Sequence, residues 1–352
     1  MKTQLLICCG SGGVGKTTVS AVIAIKAARD GQRVCVLTID PARRLADSLG
    51  VAGLGNVASP VPVPGATGQL FALMLDARAV FDDLVRRFAP SPLAAERILA
   101  NRYYRFASSR LGGSHEYMAM EKLLELAQSG QYDTIVLDTP PTRNALDFLR
   151  APERMSGLMD QGVLRWLVMP ASHGGWRALE LGSEALAGVL KKMMGRETVE
   201  EISEFFDAFR DLWDGFRDRS AEVQATLRGP LCRFYLVSSP AAASQAEALF
   251  FLDVLRERKL PFGGFIVNRV VPAPQARESE VAVPASAGLP EAIQAALRAT
   301  LRQRAALAAD HARSIAHLRA VGPADAPLWV LPDQERDLHD VERLLTLADY
   351  LP

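Results

Sequence analysis

Short apolar runs alternate along the chain with longer stretches that favour helix. Runs of strand length are Leu5 to Cys9, Val34 to Ile39, Leu70 to Leu75, Thr134 to Leu137, Phe234 to Val237, Gly264 to Val267 and Leu328 to Leu331. Continuous apolar runs of this length are typical of strands that are buried on both faces. Because they alternate with helices, the pattern predicts an α/β fold, a mostly parallel sheet with helices on both faces.

One long segment breaks this alternation. Residues 151–228 contain no strand pattern, and three of the four tryptophans lie there. We therefore predict a core formed by residues 1–150 and 229–352, with a helical insertion subdomain at 151–228. Within the insertion, Thr198 to Glu201 fits a helix capping box, and aromatic residues follow at helical spacing. Five methionines lie in the same insertion. This apolar surface either packs within the subdomain or forms a groove for a hydrophobic segment of another protein.

A second segment, Pro272 to Pro290, is rich in Pro, Ala and Ser. Such a composition predicts a loop, and we expect a helix pair to follow it.

Charge and cysteine content exclude several classes of partner. The chain has 40 basic and 40 acidic residues, so no positive field favours nucleic acid. The cysteines Cys8, Cys9, Cys35 and Cys232 form no C-x-x-C pair and lie mostly in predicted strands, which favours buried thiols over metal ligands. No apolar run approaches the roughly 18 to 20 residues of a membrane span. We therefore expect a cytoplasmic protein that contacts a membrane only through a partner.

A phosphate-binding loop follows the first predicted strand. Gly10 to Thr17 has the sequence GSGGVGKT, which fits G-x-x-x-x-G-K-[ST] and leads into a helix-forming run. Glycines let backbone N–H groups turn toward phosphate oxygens, and the helix N-terminus adds partial positive charge. Lys16 can reach the β and γ phosphates, and Thr17 can hold Mg²⁺.

Two carboxylates lie at the ends of predicted strands. Asp40 follows the strand Val34 to Ile39, and Asp138 follows Thr134 to Leu137. Ligands of such sheets bind beyond the carboxyl ends of the strands, so both should lie near the phosphate-binding loop. A nucleotide hydrolase needs one group that orients the attacking water and another in the magnesium shell.

Five ordered motifs resemble the ArsA family, which contains arsenical pump-driving ATPases and tail-anchored-protein targeting ATPases. They are Gly10 to Thr17, Asp40 to Arg43, Asp138 to Leu149, Val267 to Arg269 and Leu331 to Glu335. The resemblance implies a P-loop ATPase of the deviant Walker A type that binds ATP or ADP with Mg²⁺. It implies that Asp40 orients the hydrolytic water, that Thr17 and Asp138 serve magnesium, and that Asn268 contacts adenine. The implied nucleotide-binding residues are Gly12, Gly13, Val14, Gly15, Lys16, Thr17, Thr18, Asn268, Pro332 and Asp333.

Departures from the family pattern affect the expected partners. Family members usually carry a signature lysine second in the P-loop, which reaches the partner subunit's nucleotide, but this chain has Ser11. We expect either a heterodimer with a lysine-bearing paralogue or a homodimer in which Arg43 or Arg44 supplies the charge. The stretch around Arg302 to Leu318, which corresponds to the zinc-binding helix hairpin of the targeting members, has no cysteine. No zinc is predicted, and no arsenite-binding thiol group is recognisable.

The expected function is a dimeric ATP-hydrolysing switch that handles a hydrophobic protein client or a membrane partner. The alternatives are the soluble ATPase subunit of an anion or metalloid exporter, and a positioning ATPase similar to MinD or ParA.

Overall fold

A computed structural model of the chain describes residues 3–40, 42–101, 104, 114–140, 215, 218–272, 290–334 and 340–351. The strands are β1 (Gln4–Gly10), β2 (Arg33–Thr38), β3 (Ser59–Val61), β4 (Gln69–Met74), β5 (Thr134–Asp138), β6 (Cys232–Ser238), β7 (Phe262–Val270) and β8 (Leu328–Pro332). The helices are α1 (Lys16–Arg29), α2 (Arg44–Ser48), α3 (Ala77–Phe88), α4 (Pro92–Ala100), α5 (Ser114–Gln128), α6 (Ala242–Glu257), α7 (Glu291–Val321) and α8 (Val341–Ala348).

The strands form one eight-stranded sheet in the order β3-β4-β2-β5-β1-β6-β7-β8. Every pair is parallel except β3 with β4, which is antiparallel. The predicted α/β class with a mostly parallel sheet is therefore confirmed. The order matters for the site because β1 lies between β5 and β6, and β2 lies beside β5, so the carboxyl ends of β1, β2 and β5 are adjacent.

Burial explains why the central strands have continuous apolar sequences. All five residues of β5 are buried, and so are five of the six in β2. Small and branched residues of α1, including Val22 and Ile25, are fully buried in a core cluster shared with these strands. Leu344 and Leu347 of α8 complete the same cluster. This packing fixes the start of α1 against the end of β1.

Two details of the sequence prediction differ from the structure. The edge strand β3 was not predicted because it has only three residues and contains Pro60. The expected helix pair after Pro290 is wrong for Arg302 to Leu318, which lie within the single 31-residue helix α7. Alanine and arginine dominate this stretch and both favour helix, so no residue interrupts it. The predicted loop at 273–289 lies outside the described residues.

Two compact units make up the chain. The first contains Met1–Met74, Ala127–Ala145 and Arg228–Pro352, and the second contains Leu75–Leu126 and Leu146–Leu227. The second unit has its own core, in which Phe81 and Tyr104 pack with ring centroids 5.4 Å apart. The buried Glu121 accepts a hydrogen bond from Arg219 Nε at 3.0 Å.

Part of the predicted insertion falls in the described chain. Residues 218–227 are helical, whereas 151–214, including the capping box and the methionines, lie outside the described residues. The boundaries 151–228 stay a prediction. Among the described helices, none is both long and apolar enough to cross a bilayer. All four cysteines are free and buried, as predicted.

Candidate functional site

Glycines shape the loop between β1 and α1. A Cβ atom on Gly10 would lie 2.1 Å from the Val237 carbonyl oxygen, so only glycine fits beside β6. Gly13 and Gly15 have φ values of 81° and 86°, in the left-handed region that favours glycine. A Cβ on Gly15 would also lie 2.3 Å from Asn268 Nδ2. These constraints bring the loop backbone close to its neighbours.

Lys16 begins α1 and is folded onto its own loop. Its side chain is largely buried, and Nζ donates a hydrogen bond to the Ser11 carbonyl at 2.9 Å. Burial lowers the pKa of the ammonium group, and the nearby Asp138 carboxylate partly opposes that effect. The cation is therefore held at the mouth of the loop, close to where the motif places phosphate oxygens.

Asp138 is the last residue of β5 and is almost fully buried. Its Oδ2 accepts hydrogen bonds from Thr17 Oγ1 at 2.8 Å and from Thr38 Oγ1 at 3.0 Å. Within the described part of the chain, Oδ1 is a buried oxygen without a hydrogen-bond partner. Desolvation raises the pKa of this carboxyl to about 6, although both threonine hydroxyls lower it.

Asp40 follows β2 and lies at the rim of the same site. Its N–H donates to Thr38 Oγ1 at 3.2 Å, and its Oδ1 accepts from the Ala42 N–H at 2.9 Å. Its Oδ2 lies 3.4 Å from Arg44 Nη1, on the largely exposed guanidinium of α2. The turn thus fixes Asp40 Oδ1, and Oδ2 faces the largely exposed guanidinium of Arg44.

The carboxyl ends of β7 and β8 form another wall of the site, on the opposite side of β1 from β2 and β5. Asn268 is buried, and its Nδ2 donates to the Val14 carbonyl of the P-loop at 2.9 Å. Arg269 has a φ of 62°, and the Asp333 N–H donates to the Val270 carbonyl at 2.9 Å. The expected contact of Asn268 with adenine stays a prediction.

These groups surround one open cavity of about 880 Å³. The predicted residues that line it are Gly12, Gly13, Gly15, Lys16, Thr17, Thr18, Asp40, Asp138, Asn268, Pro332 and Asp333. Val14 is buried beneath it and contributes its carbonyl to Asn268. The structure therefore brings the predicted residues together, while their individual roles stay predictions.

Sequence reasoning missed several residues of the site. Thr38 Oγ1 donates to the Asp138 carboxylate and accepts from the backbone N–H of Asp40, and its only sequence signal is its place two residues before Asp40. Asp47, Ser48, Thr139, Gln334 and Leu347 also line the cavity. Thr139 and Gln334 lie inside two of the five motifs but were not named as site residues, whereas Asp47, Ser48 and Leu347 lie outside all of them, so only the fold shows that they line the cavity.

Ser11, which stands where the resembling family usually has a lysine, contacts another hydroxyl of the same chain. Its hydroxyl lies 3.1 Å from Ser244 Oγ on α6, at hydrogen-bonding distance. Ser244 Oγ also lies 3.1 Å from Ser238 Oγ and accepts from the Ser239 N–H at 3.1 Å. This hydroxyl cluster fixes the P-loop to the β6–α6 turn.

The residues present fit a magnesium nucleotide. The buried, unpartnered Oδ1 of Asp138 needs a cationic or hydrogen-bonding ligand, because an orphaned buried oxygen is costly. The glycine turn leaves space above Gly13, where a Cβ would meet nothing within 4 Å. Hard oxygen ligands such as Thr17 and Asp138 are those that Mg²⁺ prefers.

We expect Gly15→Ala to destabilise the protein more than Gly13→Ala. Both substitutions place a side chain at positive φ, which costs about 1 kcal/mol. Only alanine at 15 also collides with Asn268, which adds roughly 1 to 3 kcal/mol. Chemical denaturation without nucleotide measures both free energies of unfolding. Equal losses would show that the loop shifts away from Asn268 without cost.

Comparisons with known proteins agree with this geometry. The family model described as anion-transporting ATPase matches residues 3–283. The chain is 28% identical over 263 residues to ATPase GET3A of Arabidopsis thaliana, covering 74% of this chain and 65% of that protein. It is 27% identical over 278 residues to a protein named as an arsenical pump-driving ATPase in Prosthecochloris vibrioformis, covering 77% and 62%. It is 31% identical over 213 residues to ATPase get3 of Aspergillus terreus, covering 56% and 59%. The matched region thus spans less than two thirds of the length of these relatives.

Proposed function

This chain belongs to the ArsA-type anion-transporting ATPase family, and from that premise we propose that it hydrolyses ATP to ADP and phosphate in the 880 Å³ cavity. The observation that carries the proposal is the meeting of Lys16, Thr17, Asp40 and Asp138 at the ends of β1, β2 and β5. A phosphate-binding cation, a pair of hard oxygen ligands and a rim carboxylate are the groups that phosphoryl transfer to water requires.

The binding roles follow from the contacts of each side chain. Lys16 leaves the Ser11 carbonyl and pairs with the β and γ phosphate oxygens, while the loop N–H groups bind the remaining oxygens. Thr17 and Asp138 would hold the magnesium ion. The ion, when bound, neutralises charge on the phosphate oxygens.

Asp40 orients the attacking water. The Ala42 N–H fixes Oδ1, so Oδ2 is the oxygen that turns to accept a hydrogen bond from water. The water oxygen forms a bond to the γ phosphorus as the bond to the β–γ bridging oxygen breaks. The proton from water passes to the released phosphate.

The base lies against the ends of β7 and β8, beside Asn268, Pro332 and Asp333. Asn268 uses its amide N–H on Val14, which leaves the carbonyl oxygen to accept from the exocyclic amine of adenine. Guanine presents an acceptor there, so the site favours ATP over GTP.

We also propose that the chain acts as a dimer. Two arrangements are consistent with Ser11: a heterodimer with a lysine-bearing paralogue, or a homodimer. The homodimer gains support from Arg44, which lines the cavity and has a side chain that is 69% exposed beside Asp40. An arginine at this place can stabilise the charge of the transferred phosphoryl group.

The work that hydrolysis performs is proposed to be the handling of a hydrophobic protein client. The GET3-named relatives support this direction, as does the aromatic insertion in the sequence. The exporter alternative gains support from the relative named for an arsenical pump. The cysteines favour the client, because burial raises the pKa of the Cys8, Cys9 and Cys232 thiols and makes thiolate coordination of arsenite unfavourable.

Arg44→Ala tests both the ATPase proposal and the dimer form. We expect ATP turnover by the purified chain alone to fall at least about tenfold, because loss of one preorganised donor typically costs about 100- to 1,000-fold in the rate and Arg44 is largely exposed. Arg43→Ala is the matched control, since Arg43 precedes α2 and does not line the cavity.

Phosphate release with Mg-ATP is the measurement, with and without a lysine-bearing paralogue. Turnover that appears only in the mixture, with Arg44→Ala unaffected, supports the heterodimer over the homodimer. Absence of phosphate release in every combination overturns the ATPase proposal itself.

A further inference from the structure

The end of β7 is a strained segment held at several points. Pairing with β8 shifts register between Val267 and Val270, and Arg269 between them has a left-handed φ of 62°. A side chain other than glycine rarely adopts this conformation unless the surroundings enforce it. Asn268 and Arg269 both line the cavity. Whatever holds this segment therefore sets the shape of one wall of the site.

Three hydrogen bonds from separate parts of the described chain contact this segment. Asn268 binds the Val14 carbonyl of the P-loop, and Val270 accepts from the Asp333 N–H of the loop after β8. The third comes from a distant part of the chain: the Val271 N–H donates to His311 Nδ1 on α7 at 3.0 Å. His311 does not line the cavity and belongs to none of the motifs.

The direction of the third hydrogen bond determines which ring nitrogen of His311 is the acceptor. Nδ1 accepts, so it carries no proton, and the proton of the neutral ring is on Nε2. Backbone N–H groups that are partly buried need such a partner, and Val271 cannot find one in the ladder because β7 ends at Val270.

The same helix holds a second loop one turn further on. Ser314 Oγ donates to the Pro240 carbonyl at 2.6 Å, in the β6–α6 turn that carries Ser239 and leads to Ser244. His311 and Ser314, three positions apart on α7, thus bind the segments that follow β7 and β6, respectively. Pro240 does not line the cavity, whereas the segment bound by His311 does.

We propose that His311 is a positioning residue for nucleotide binding. By accepting a hydrogen bond from the Val271 N–H, His311 fixes the segment from Asn268 to Val271. The side-chain oxygen Oδ1 of Asn268 then faces the base. The inference rests on the proposed nucleotide site and extends it to a side chain on α7. Because the segment borders the base and the P-loop holds the phosphates, the effect falls on nucleoside recognition.

Isothermal titration of the full chain with Mg-ADP and with Mg-tripolyphosphate tests this. His311→Ala should weaken ADP binding roughly fivefold, the value of one hydrogen bond. Tripolyphosphate binding should stay within a factor of about two. His311→Asn should restore ADP binding, because its Oδ1 takes the place of Nδ1 and accepts the same hydrogen bond.

Ser314→Ala is the matched control on the same face of α7, and its ratio of ADP to tripolyphosphate affinity should equal that of the unsubstituted chain. If His311→Ala does not fold, His311→Gln replaces it, since glutamine stays polar but carries its acceptor one bond further out. Equal weakening of both ligands, or failure of asparagine to restore ADP binding, overturns the proposal. If the unsubstituted chain binds neither ligand, the nucleotide site itself fails, which is a separate and recognisable result.

Discussion

Asp40→Asn is expected to lower ATP turnover by at least about 100-fold while nucleotide affinity changes by less than about threefold. The amide can still accept the Ala42 N–H at Oδ1, so the turn keeps its shape. What is lost is the anionic Oδ2, the oxygen proposed to accept from the attacking water. Phosphate release and ADP titration together measure the two effects.

Asp47→Asn is the matched control for that substitution. Asp47 lies on α2 and lines the same cavity, but it belongs to none of the proposed catalytic contacts. Its turnover should stay within about threefold of the unsubstituted chain. If both variants lose activity equally, the net negative charge of the rim matters and not the position of Asp40.

Asp138→Asn should raise the free energy of unfolding of the metal-free protein and weaken the effect of magnesium on nucleotide affinity. Burial raises the pKa of Asp138 from 3.8 to about 6, so the folded chain binds a proton that the unfolded chain has already lost between these pH values. The free energy of unfolding therefore falls as pH rises from about 4 to about 6 and stays low above it. Asparagine carries no charge and escapes this loss, which amounts to at most roughly 3 kcal/mol.

Denaturant titrations of the metal-free chain at pH 4.5 and pH 8 measure this effect, and the difference between variant and parent should grow with pH. The enhancement of ADP affinity by magnesium should fall at least about tenfold. Asp133→Asn at the other end of β5 is the matched control. Arg33 holds the pKa of Asp133 at about 2, so its contribution is present above pH 3.8 and is lost as pH falls toward 2. A variant at 138 with the pH slope of the parent would contradict a buried, charged Asp138.

The sequence predicted the sheet because its central strands are buried on both faces. A run such as the one in β5 has no polar alternation and is bounded by polar residues, so type and approximate limits follow directly. The same argument failed for β3, where three residues around a proline carry no periodic signal. The expected helix pair was also wrong, although Glu291–Val321 contains no glycine or proline and its alanine and arginine favour one continuous helix.

The candidate site divides in the same way. Motif residues such as Lys16 and Asp138 were predicted because their spacing and their position at strand ends are visible in one dimension. Thr38, Ser244 and His311 act through hydrogen bonds to residues 100, 233 and 40 positions away. Those pairings depend on strand order and helix placement, which single-chain periodicity does not specify.

Lys16 Nζ already donates a hydrogen bond to the Ser11 carbonyl, so an anion that binds Lys16 has to replace that carbonyl as the acceptor. An incoming anion gains the ammonium group only by displacing an acceptor that is already 2.9 Å away. A small monovalent anion offers one weak contact in return, whereas a polyphosphate offers several oxygens to the ammonium and the loop N–H groups together. We therefore expect the loop to favour polyphosphates over simple monovalent anions, whatever base the ligand carries.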